Sequence, residues 1–168
     1  MTQLTIVRRM QRTSFEGMHC SVAQCLEVIG EWWSMLIVRD AFLGVRRFDE
    51  FQSRLGISRN ILSARLAGLV EAGVLEKVPY QERPVRHEYR LTTKGRDLWP
   101  VLTTMREWGD KWAAPNGVPL ELVHDACGEV MSLSLTCASC GEAVDGRSVR
   151  ARPGPGAGPD SLAGTPLG

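Results

Sequence analysis

The N-terminal half of the chain alternates apolar and polar residues with a helical period that glycine interrupts four times. Apolar positions three and four residues apart predict helices over residues 22–29, 32–43, 48–55 and 58–72. A glycine follows each predicted helix, and glycine is the residue that most often ends a helix. These glycines are Gly30, Gly44, Gly56 and Gly73.

The period changes after residue 73. Segments 74–78 and 87–92 have strand character and flank the charged, proline-bounded segment 79–86, a pattern that predicts a β-hairpin with a long loop. Another helix is predicted from about residue 95, and Pro100 is close enough to its start to be tolerated. The apolar stripe of this helix consists of Leu98, Val101, Leu102, Met105, Trp108 and Trp112.

Length and composition predict one α+β, mainly helical domain with a small appendage. The chain has 168 residues, 43% of them hydrophobic, and its five tryptophans are expected to fill much of the core. We divide it into an N-terminal arm (1–19), a main domain (20–114), a small module (115–150) and a disordered Gly/Pro-rich tail (151–168). No apolar run has the length of a membrane span or a signal peptide, which predicts a soluble cytoplasmic protein.

Charge is unevenly distributed along the chain although the net charge is only +1. Residues 44–96 carry eleven Lys and Arg against six Asp and Glu, or +5, whereas residues 97–146 carry two against eight, or −6. A basic middle next to an acidic end indicates that the middle binds a polyanion and the end serves another task. The alternative is an ordinary solvated surface.

The fourth predicted helix has a face that suits the major groove of DNA. Ser58 is its expected N-cap, and a step of 100° per residue places Asn60 and Ser63 on the same side as Arg59. The first half of the helix, which also carries Arg65, contains no carboxylate. Arg59, Asn60 and Ser63 can therefore contact base edges or phosphates.

Further cations are expected to hold the DNA backbone. Arg83 and Arg86 lie in the predicted hairpin loop, where they can bind phosphates or enter a minor groove as a wing. Arg46, Arg47 and Lys77 are additional candidates for phosphate contacts. Two helices, a glycine turn, a capped helix and a charged hairpin follow the order of a winged helix-turn-helix. The alternative is a small α+β domain with a cationic surface.

Six motifs follow one another in an order and spacing typical of one protein family. They are Cys20, "LEVIG" with Trp33, "RRFDEF", "GIS" with "LSARLAGLVEAGVLEK", "RPVRHEYRLTTKGRDL", and Trp108. Over residues 20–112 the chain therefore resembles the HxlR-type family of bacterial winged helix-turn-helix transcription regulators. One departure is the pair Glu31-Trp32, where the family usually has a small and a basic residue. The role of that position as a ligand or interface contact is therefore open.

The resemblance implies a DNA-binding transcription regulator. A dimeric repressor is expected, although the residues do not distinguish a repressor from an activator. The family implies a homodimer joined by its terminal helices on a two-fold operator, with recognition helices about one DNA turn apart, ~34 Å. The apolar stripe of the last helix suits this dimer, although a core helix would have the same pattern. Thiol oxidation or a small ligand would be the effector, and the sequence does not identify it.

Cys20 matches a cysteine that many family members share, and in a subset the resemblance implies that this thiol senses oxidants. The adjacent His19 is a candidate base for such a thiol. The alternative is a buried cysteine that acts as a small apolar residue at the start of a helix. Cys25 lies on the apolar side of its helix and is expected in the core.

The other three cysteines form a pattern typical of a metal site. His124-x-x-Cys127-Gly is followed, after nine residues, by Cys137-x-x-Cys140-Gly. Each glycine permits a tight turn that directs two donors to one metal, and the strand-like segment between them would connect the turns. The pattern predicts a zinc-ribbon-like module with a structural, tetrahedral His-Cys₃ site. The alternatives are a redox-active Cys-x-x-Cys pair and unligated thiols.

Two other function classes are weaker. An enzyme is not expected, because His19, His87 and His124 are scattered and no paired-carboxylate or phosphate-loop motif occurs. A winged-helix module for protein–protein contacts, without DNA binding, would place apolar residues at positions 59, 60 and 63. The sequence has Arg, Asn and Ser there.

Overall fold

The computed structural model describes residues 14–158, and the mixed, mainly helical architecture predicted from the sequence is confirmed there. Its elements in chain order are α1 (Ser21–Ile29), α2 (Ser34–Phe42), α3 (Phe48–Leu55), α4 (Arg59–Glu71), β1 (Leu75–Glu82), β2 (Val85–Leu91), α5 (Thr93–Arg96) and α6 (Trp99–Trp112). Much of the predicted N-terminal arm, residues 1–13, and the end of the predicted tail, residues 159–168, lie outside the described residues.

The core lies between α2, α3, α4 and the base of the hairpin. Ile37, Phe51 and Leu66 are fully buried at its centre, and Leu75 of β1 closes it at one end. The predicted inner stripe of α4 is confirmed, because Leu62, Leu66 and Leu69 are all at most 1% exposed. This stripe fixes the rotation of α4, so the opposite side of the helix must face solvent.

One carboxylate is buried within this core. Asp40 of α2 has no exposed surface, and its oxygens lie 2.9 Å from a guanidinium nitrogen of Arg39 and 3.3 Å from Nε of Arg54. A buried charge is tolerated only where it is paired in this way. The second pair joins α2 to α3 and so fixes the first helix of the helix-turn-helix.

The expectation that tryptophans fill the core is wrong. Trp32, Trp108 and Trp112 are between 65% and 89% exposed, and Trp99 is 37% exposed. Trp33 is partly buried against the core, which otherwise consists of aliphatic side chains and Phe51. The tryptophans of α6 are therefore surface residues in the single chain.

The prediction of a long loop in the hairpin is also wrong. β1 and β2 are antiparallel from Leu75 opposite Leu91 to Glu82 opposite Val85, which leaves a two-residue turn. The register shifts between Pro79 and Gln81, and this irregularity accommodates the proline, which has no N–H to donate. The wing is thus a long two-stranded ribbon.

The helix predicted from about residue 95 is divided into α5 and α6. Pro100 lies in the first turn of α6 and cannot donate a backbone hydrogen bond to the preceding turn. Gly95 of α5 lies so close to Val74 that a Cβ would be 2.2 Å from its carbonyl oxygen, so only glycine fits. The ring of Trp99, 5.1 Å from that of Phe42, packs α6 against α2.

After α6 the described chain forms turns and isolated bridges. Residues 130–136 lack the continuous strand expected between the two cysteine-containing turns, and each turn instead has an isolated bridge, Val123–Val130 and Thr136–Ala143. No helix within residues 14–158 is long and apolar enough to cross a membrane.

Candidate nucleic-acid interface

The solvent side of α4 carries the polar residues predicted to read DNA. Ser58 is the N-cap, and its hydroxyl accepts a hydrogen bond from the N–H of Ile61 at 3.3 Å. Arg59, Asn60 and Ser63 are exposed, and the first turn contains no acidic residue. An uncompensated helix N-terminus with exposed donors favours an anion such as phosphate.

Arg59 is oriented by α3. Its guanidinium lies 4.8 Å from the centre of the Phe48 ring and 3.6 Å from a carboxylate oxygen of Asp49. Both charged side chains are more than two-thirds exposed, so solvent screens the pair and the guanidinium can exchange this carboxylate for a phosphate. Sequence reasoning missed this contact, although both partners lie in the "RRFDEF" motif.

Arg65 has a different position from the one expected of a DNA contact. Its guanidinium lies 2.7 Å from the carboxylate of Glu31, in the turn between α1 and α2, and its Nε is buried without a hydrogen-bond partner. The side chain therefore connects α4 to the N-terminal helices. Glu31 is half of the Glu31-Trp32 pair at which the sequence departs from the family pattern.

Arg46 and Arg47 lie where the segment before α3 pairs with the wing. The N–H of Tyr89 donates to the carbonyl of Arg46 at 2.8 Å, and Arg47 forms a bridge with Glu88. A guanidinium nitrogen of Arg46 donates to the carbonyl of Ala41 at 2.9 Å, which fixes that side chain against α2. These contacts set the angle between the wing and the helix-turn-helix.

The side chain of Arg47 lies on the wing. Its guanidinium is 4.7 Å from the centre of the Tyr80 ring and 3.9 Å from a carboxylate oxygen of Glu88. Tyr80, at the irregularity in β1, was not anticipated as a partner of a predicted phosphate contact. Stacking on a ring limits the rotation of the guanidinium and leaves its edge free to donate to an anion.

The remaining predicted wing cations are exposed. Lys77 is on β1, Arg83 is in the two-residue turn, and Arg86 is the second residue of β2, opposite Gln81. Arg83 and Arg86 therefore lie at the tip of a ribbon and not in a loop. A ribbon tip extends farther from the core than a loop of the same composition, since its backbone is hydrogen-bonded and extended.

Glu50 stabilises the start of α3. One carboxylate oxygen accepts hydrogen bonds from the N–H of Arg47 at 3.0 Å and from that of Arg46 at 3.3 Å. These backbone hydrogen bonds lower the pKa of Glu50 from its ordinary value of 4.5, with a smaller effect of the Arg47 charge. The ionised carboxylate thus caps the helix that precedes the recognition turn.

The predicted apolar stripe of α6 is a solvent-exposed face. Val101, Met105, Trp108 and Trp112 are between 38% and 67% exposed, whereas Leu102 is half-buried and Leu98 is packed against the core. Pro100, Val101, Thr104, Met105 and Trp108 line an open groove of about 600 Å³. Exposed apolar area of this kind is typical of a contact surface, and a plain core helix would not leave it exposed in the single chain.

Cys20 is at the N-cap position of α1 and is exposed, so the alternative of a buried thiol does not describe it. Cys25 is half-buried and not fully in the core. Cys20, His19 and Gln24 line a cavity that residues 151–157 close on the other side. The start of the Gly/Pro-rich tail therefore lies across this cavity from the predicted sensor thiol, which remains exposed.

The four predicted metal ligands form two pairs. Nδ1 of His124 lies 3.4 Å from Sγ of Cys127. The N–H groups of Ser139 and Cys140 hydrogen-bond to the sulfur of Cys137, which lowers the pKa of that thiol, and the Cys140 thiol contributes in the same direction. Within residues 14–158, no three His, Cys, Asp or Glu side chains converge on a single metal-sized position.

Comparison with known proteins identifies the fold. The model of the family HxlR-like helix-turn-helix matches residues 28–117. Rv3095 of Mycobacterium tuberculosis, an uncharacterized HTH-type transcriptional regulator, is 48% identical over 143 residues, which are 84% of this chain and 89% of that protein.

Two solved structures extend the comparison. The crystal structure of PA1607, a candidate transcription factor, superposes with a TM-score of 0.75 at 45% identity and covers 83% of this chain and 98% of that one. The redox regulator HypR in its oxidized form has a TM-score of 0.51 at 33% identity and covers 55% of this chain and 96% of HypR. The chain belongs to the HxlR-like helix-turn-helix family and is a DNA-binding transcription regulator, not an enzyme.

Proposed function

We propose that the protein is a homodimeric repressor that binds a two-fold operator through α4 and the wing of each protomer. The observation that carries this proposal is the exposed face of Arg59, Asn60 and Ser63, on a helix without acid in its first turn. The Arg-bearing ribbon tip is the second contact surface. Repression is expected because a dimer bound over two major grooves occupies DNA that the transcription machinery needs.

In this proposal the base contacts come from the middle of the exposed face. Asn60 can make paired hydrogen bonds to adenine, and Ser63 can bond to any base edge within reach. Arg59 exchanges its weak contact with Asp49 for guanine or a phosphate. Ala64 and Ala67, both exposed, allow the helix to approach the groove closely.

The backbone contacts come from the margins of this surface. The helix N-terminus capped by Ser58 and the cations Arg47, Lys77, Arg83 and Arg86 would bind phosphates, which supply affinity and register but little sequence preference. Arg46 contributes mainly by holding the wing, because its guanidinium already donates to Ala41. Arg65 contributes through Glu31 to the placement of α4.

The dimer is proposed to form through the exposed apolar face of α6. This face includes two tryptophans and a methionine that water would otherwise surround. A two-fold axis along α6 would bury the same residues from both chains, as an isologous interface requires. Val22 and Leu26 of α1, also exposed, are available to extend the contact.

A thiol input is proposed through Cys20. Its support is the exposure of the sulfur at the start of α1 and the similarity of the chain, over 55% of its length, to HypR, a redox regulator. An exposed thiol is open to oxidation, whereas a buried one is not. Oxidation of Cys20 would change the charge and contacts at the junction between α1 and the segment before it.

The test is selection of bound DNA from a genomic fragment pool, followed by sequencing, with and without a thiol oxidant. The proposal predicts enrichment of a two-fold motif with half-sites about one helical turn apart. A variant with Arg59, Asn60 and Ser63 all replaced by alanine is the matched control and should lose the enrichment. A Cys20→Ser variant should retain the enrichment of the two-fold motif in the presence of the oxidant. Equal recovery of all fragments by the wild type would overturn the proposal.

A further inference from the structure

We propose that His124, Cys127, Cys137 and Cys140 bind one zinc ion and that this ion organises residues 115–150. The inference is independent of the DNA-binding function. It rests on two turns of the same geometry, each of which presents one pair of metal donors, within a segment that has no buried core.

The two turns repeat each other in backbone hydrogen bonding. In the first, the N–H of His124 donates to the carbonyl of Glu129 at 2.9 Å, and that of Gly128 donates to the carbonyl of His124 at 2.8 Å. In the second, the N–H of Cys137 donates to Glu142 at 2.9 Å, and that of Gly141 donates to Cys137 at 2.8 Å.

Other features of the turns match as well. Gly128 and Gly141 have φ angles of 75° and 77°, a conformation that favours glycine, and each turn is closed by one β-bridge. The sequences His-Asp-Ala-Cys-Gly-Glu and Cys-Ala-Ser-Cys-Gly-Glu align position by position. The sequence alone did not reveal this internal repeat, because only three of the six residues are identical.

In the first turn the two donors have the spacing of ligands on a shared ion. Nδ1 of His124 and Sγ of Cys127 are 3.4 Å apart. Tetrahedral zinc with bonds of about 2.0 Å to nitrogen and 2.3 Å to sulfur separates these two atoms by about 3.5 Å. In the second turn the N–H groups of Ser139 and Cys140 point to the sulfur of Cys137, so the backbone of this turn is arranged around that donor atom.

The module needs a source of stability other than hydrophobic burial. Leu120, Val123, Val130 and Leu135 are between 48% and 67% exposed, and every residue from 115 to 150 is at least partly exposed. A segment of this size without a core is usually stabilised by a metal or by disulfides. Three cysteines and one histidine lie within residues 124–140, and an odd number of thiols cannot all pair in disulfides within this segment, which favours the metal.

The two pairs do not meet at one position in the described residues, so zinc binding must draw the turns together. The nine residues between Cys127 and Cys137 allow this, because an extended connection of that length spans about 30 Å and can also fold back. The two turns would come together beside α6, because two hydrogen bonds hold the module against that helix. The N–H of Leu133 donates to a carboxylate oxygen of Glu107 at 2.6 Å, and the side chain of Arg106 donates to the carbonyl of Leu120 at 3.2 Å.

The first experiment measures the zinc content of the full-length protein, purified under reducing conditions and dialysed against zinc-free buffer. About one zinc ion per chain is expected. Cys137→Ser and Cys140→Ser should each lose most of it, while Cys20→Ser, the matched control outside the module, should keep it. Circular dichroism checks that the winged-helix domain of each variant remains folded. Zinc content equal in all four proteins would overturn the proposal.

Cobalt substitution tests the ligand set itself. The Co²⁺ protein should show the visible bands of tetrahedral cobalt and a near-ultraviolet sulfur-to-cobalt charge-transfer band. His124→Cys should raise that charge-transfer intensity by about one third, because three thiolates become four. His124→Ala should weaken metal binding without abolishing the sulfur band. An octahedral spectrum, or a Cys137–Cys140 disulfide that forms in place of metal binding, would contradict the proposal and favour a redox pair.

Discussion

The guanidinium of Arg65 and the carboxylate of Glu31, 2.7 Å apart, connect the recognition helix α4 to the turn between α1 and α2. Both side chains are about one-third exposed, and Nε of Arg65 is buried without a partner. The pair therefore links the position of α4 to the N-terminal helices at the site where this chain departs from the family pattern.

We expect Arg65→Ala to lower the free energy of unfolding by about 0.5–1 kcal/mol, because a partly exposed ion pair contributes no more than that. Urea unfolding of Arg65→Ala, Glu31→Ala and the double variant, at one protein concentration, isolates the coupling between the two side chains. The salt dependence of DNA binding should not change in Arg65→Ala. A decrease of about one in the slope of the logarithm of the binding constant against the logarithm of salt concentration would instead assign Arg65 to a phosphate contact.

Asn60→Ala is expected to weaken operator binding by about 1–3 kcal/mol, the range for a paired hydrogen bond to a base. Binding to random DNA should change little, since a base contact carries sequence preference. Fluorescence anisotropy on both DNAs measures the two affinities. Gln52→Ala, a polar-to-alanine change on the preceding helix, is the control. Equal losses on operator and random DNA would assign Asn60 to a phosphate contact.

Replacing both Arg83 and Arg86 with alanine should weaken binding to every DNA sequence and lower the salt slope by about two for each protomer bound. The reason is that each arginine at the ribbon tip would release about one counterion. Arg147 and Arg150, exposed cations of the C-terminal segment, provide a charge-matched double variant that should leave the slope unchanged. An unchanged slope in the wing variant would remove the wing from the interface.

Local patterns in the sequence were sufficient for helices α1 to α4 and for the exposed face of α4. The leucine stripe sets the rotation of α4, so the outward position of Asn60 follows from periodicity alone. Gly56, with a φ angle of 64°, ends α3 as predicted, because that conformation strongly favours glycine.

Features that depend on contacts between distant segments could not be read in the same way. The pairing of Arg65 with Glu31, the stacking of Arg47 on Tyr80 and the length of the wing all require knowledge of which surfaces meet. The tryptophans of α6 show the same limit, because periodicity identifies an apolar face but not whether a core or a second chain covers it.

The hydrogen bonds of Glu50 predict that the stability of the fold depends on pH in the acidic range. Its pKa is lowered in the folded state by the N–H groups of Arg47 and Arg46, so its contribution is fully present above its ordinary pKa of 4.5. This contribution to the free energy of unfolding is lost as the pH falls from 4.5 through the lower pKa of the folded state. Glu50→Gln should therefore be less stable than the wild type at neutral pH, with a difference that shrinks in acid. Thermal melts from pH 7 to pH 3 measure it, and a constant difference would show that the charge has no role.

The α6 dimer predicts that one charge on its apolar face separates the protomers. Trp108→Glu places a carboxylate at a side chain that is 65% exposed in the single chain and would be buried in the dimer. Because the wild-type residue is already exposed, the fold of the monomer should be retained, and circular dichroism checks this. Sedimentation should show a dimer for the wild type and a monomer for Trp108→Glu. Trp32→Glu, at a tryptophan that is 89% exposed outside α6, is the matched control and should remain dimeric.

The Trp108→Glu monomer is expected to bind a single half-site weakly, because it lacks the contacts and the register that the second recognition helix supplies. A Trp108→Glu protein that remains a dimer would place the interface on another surface.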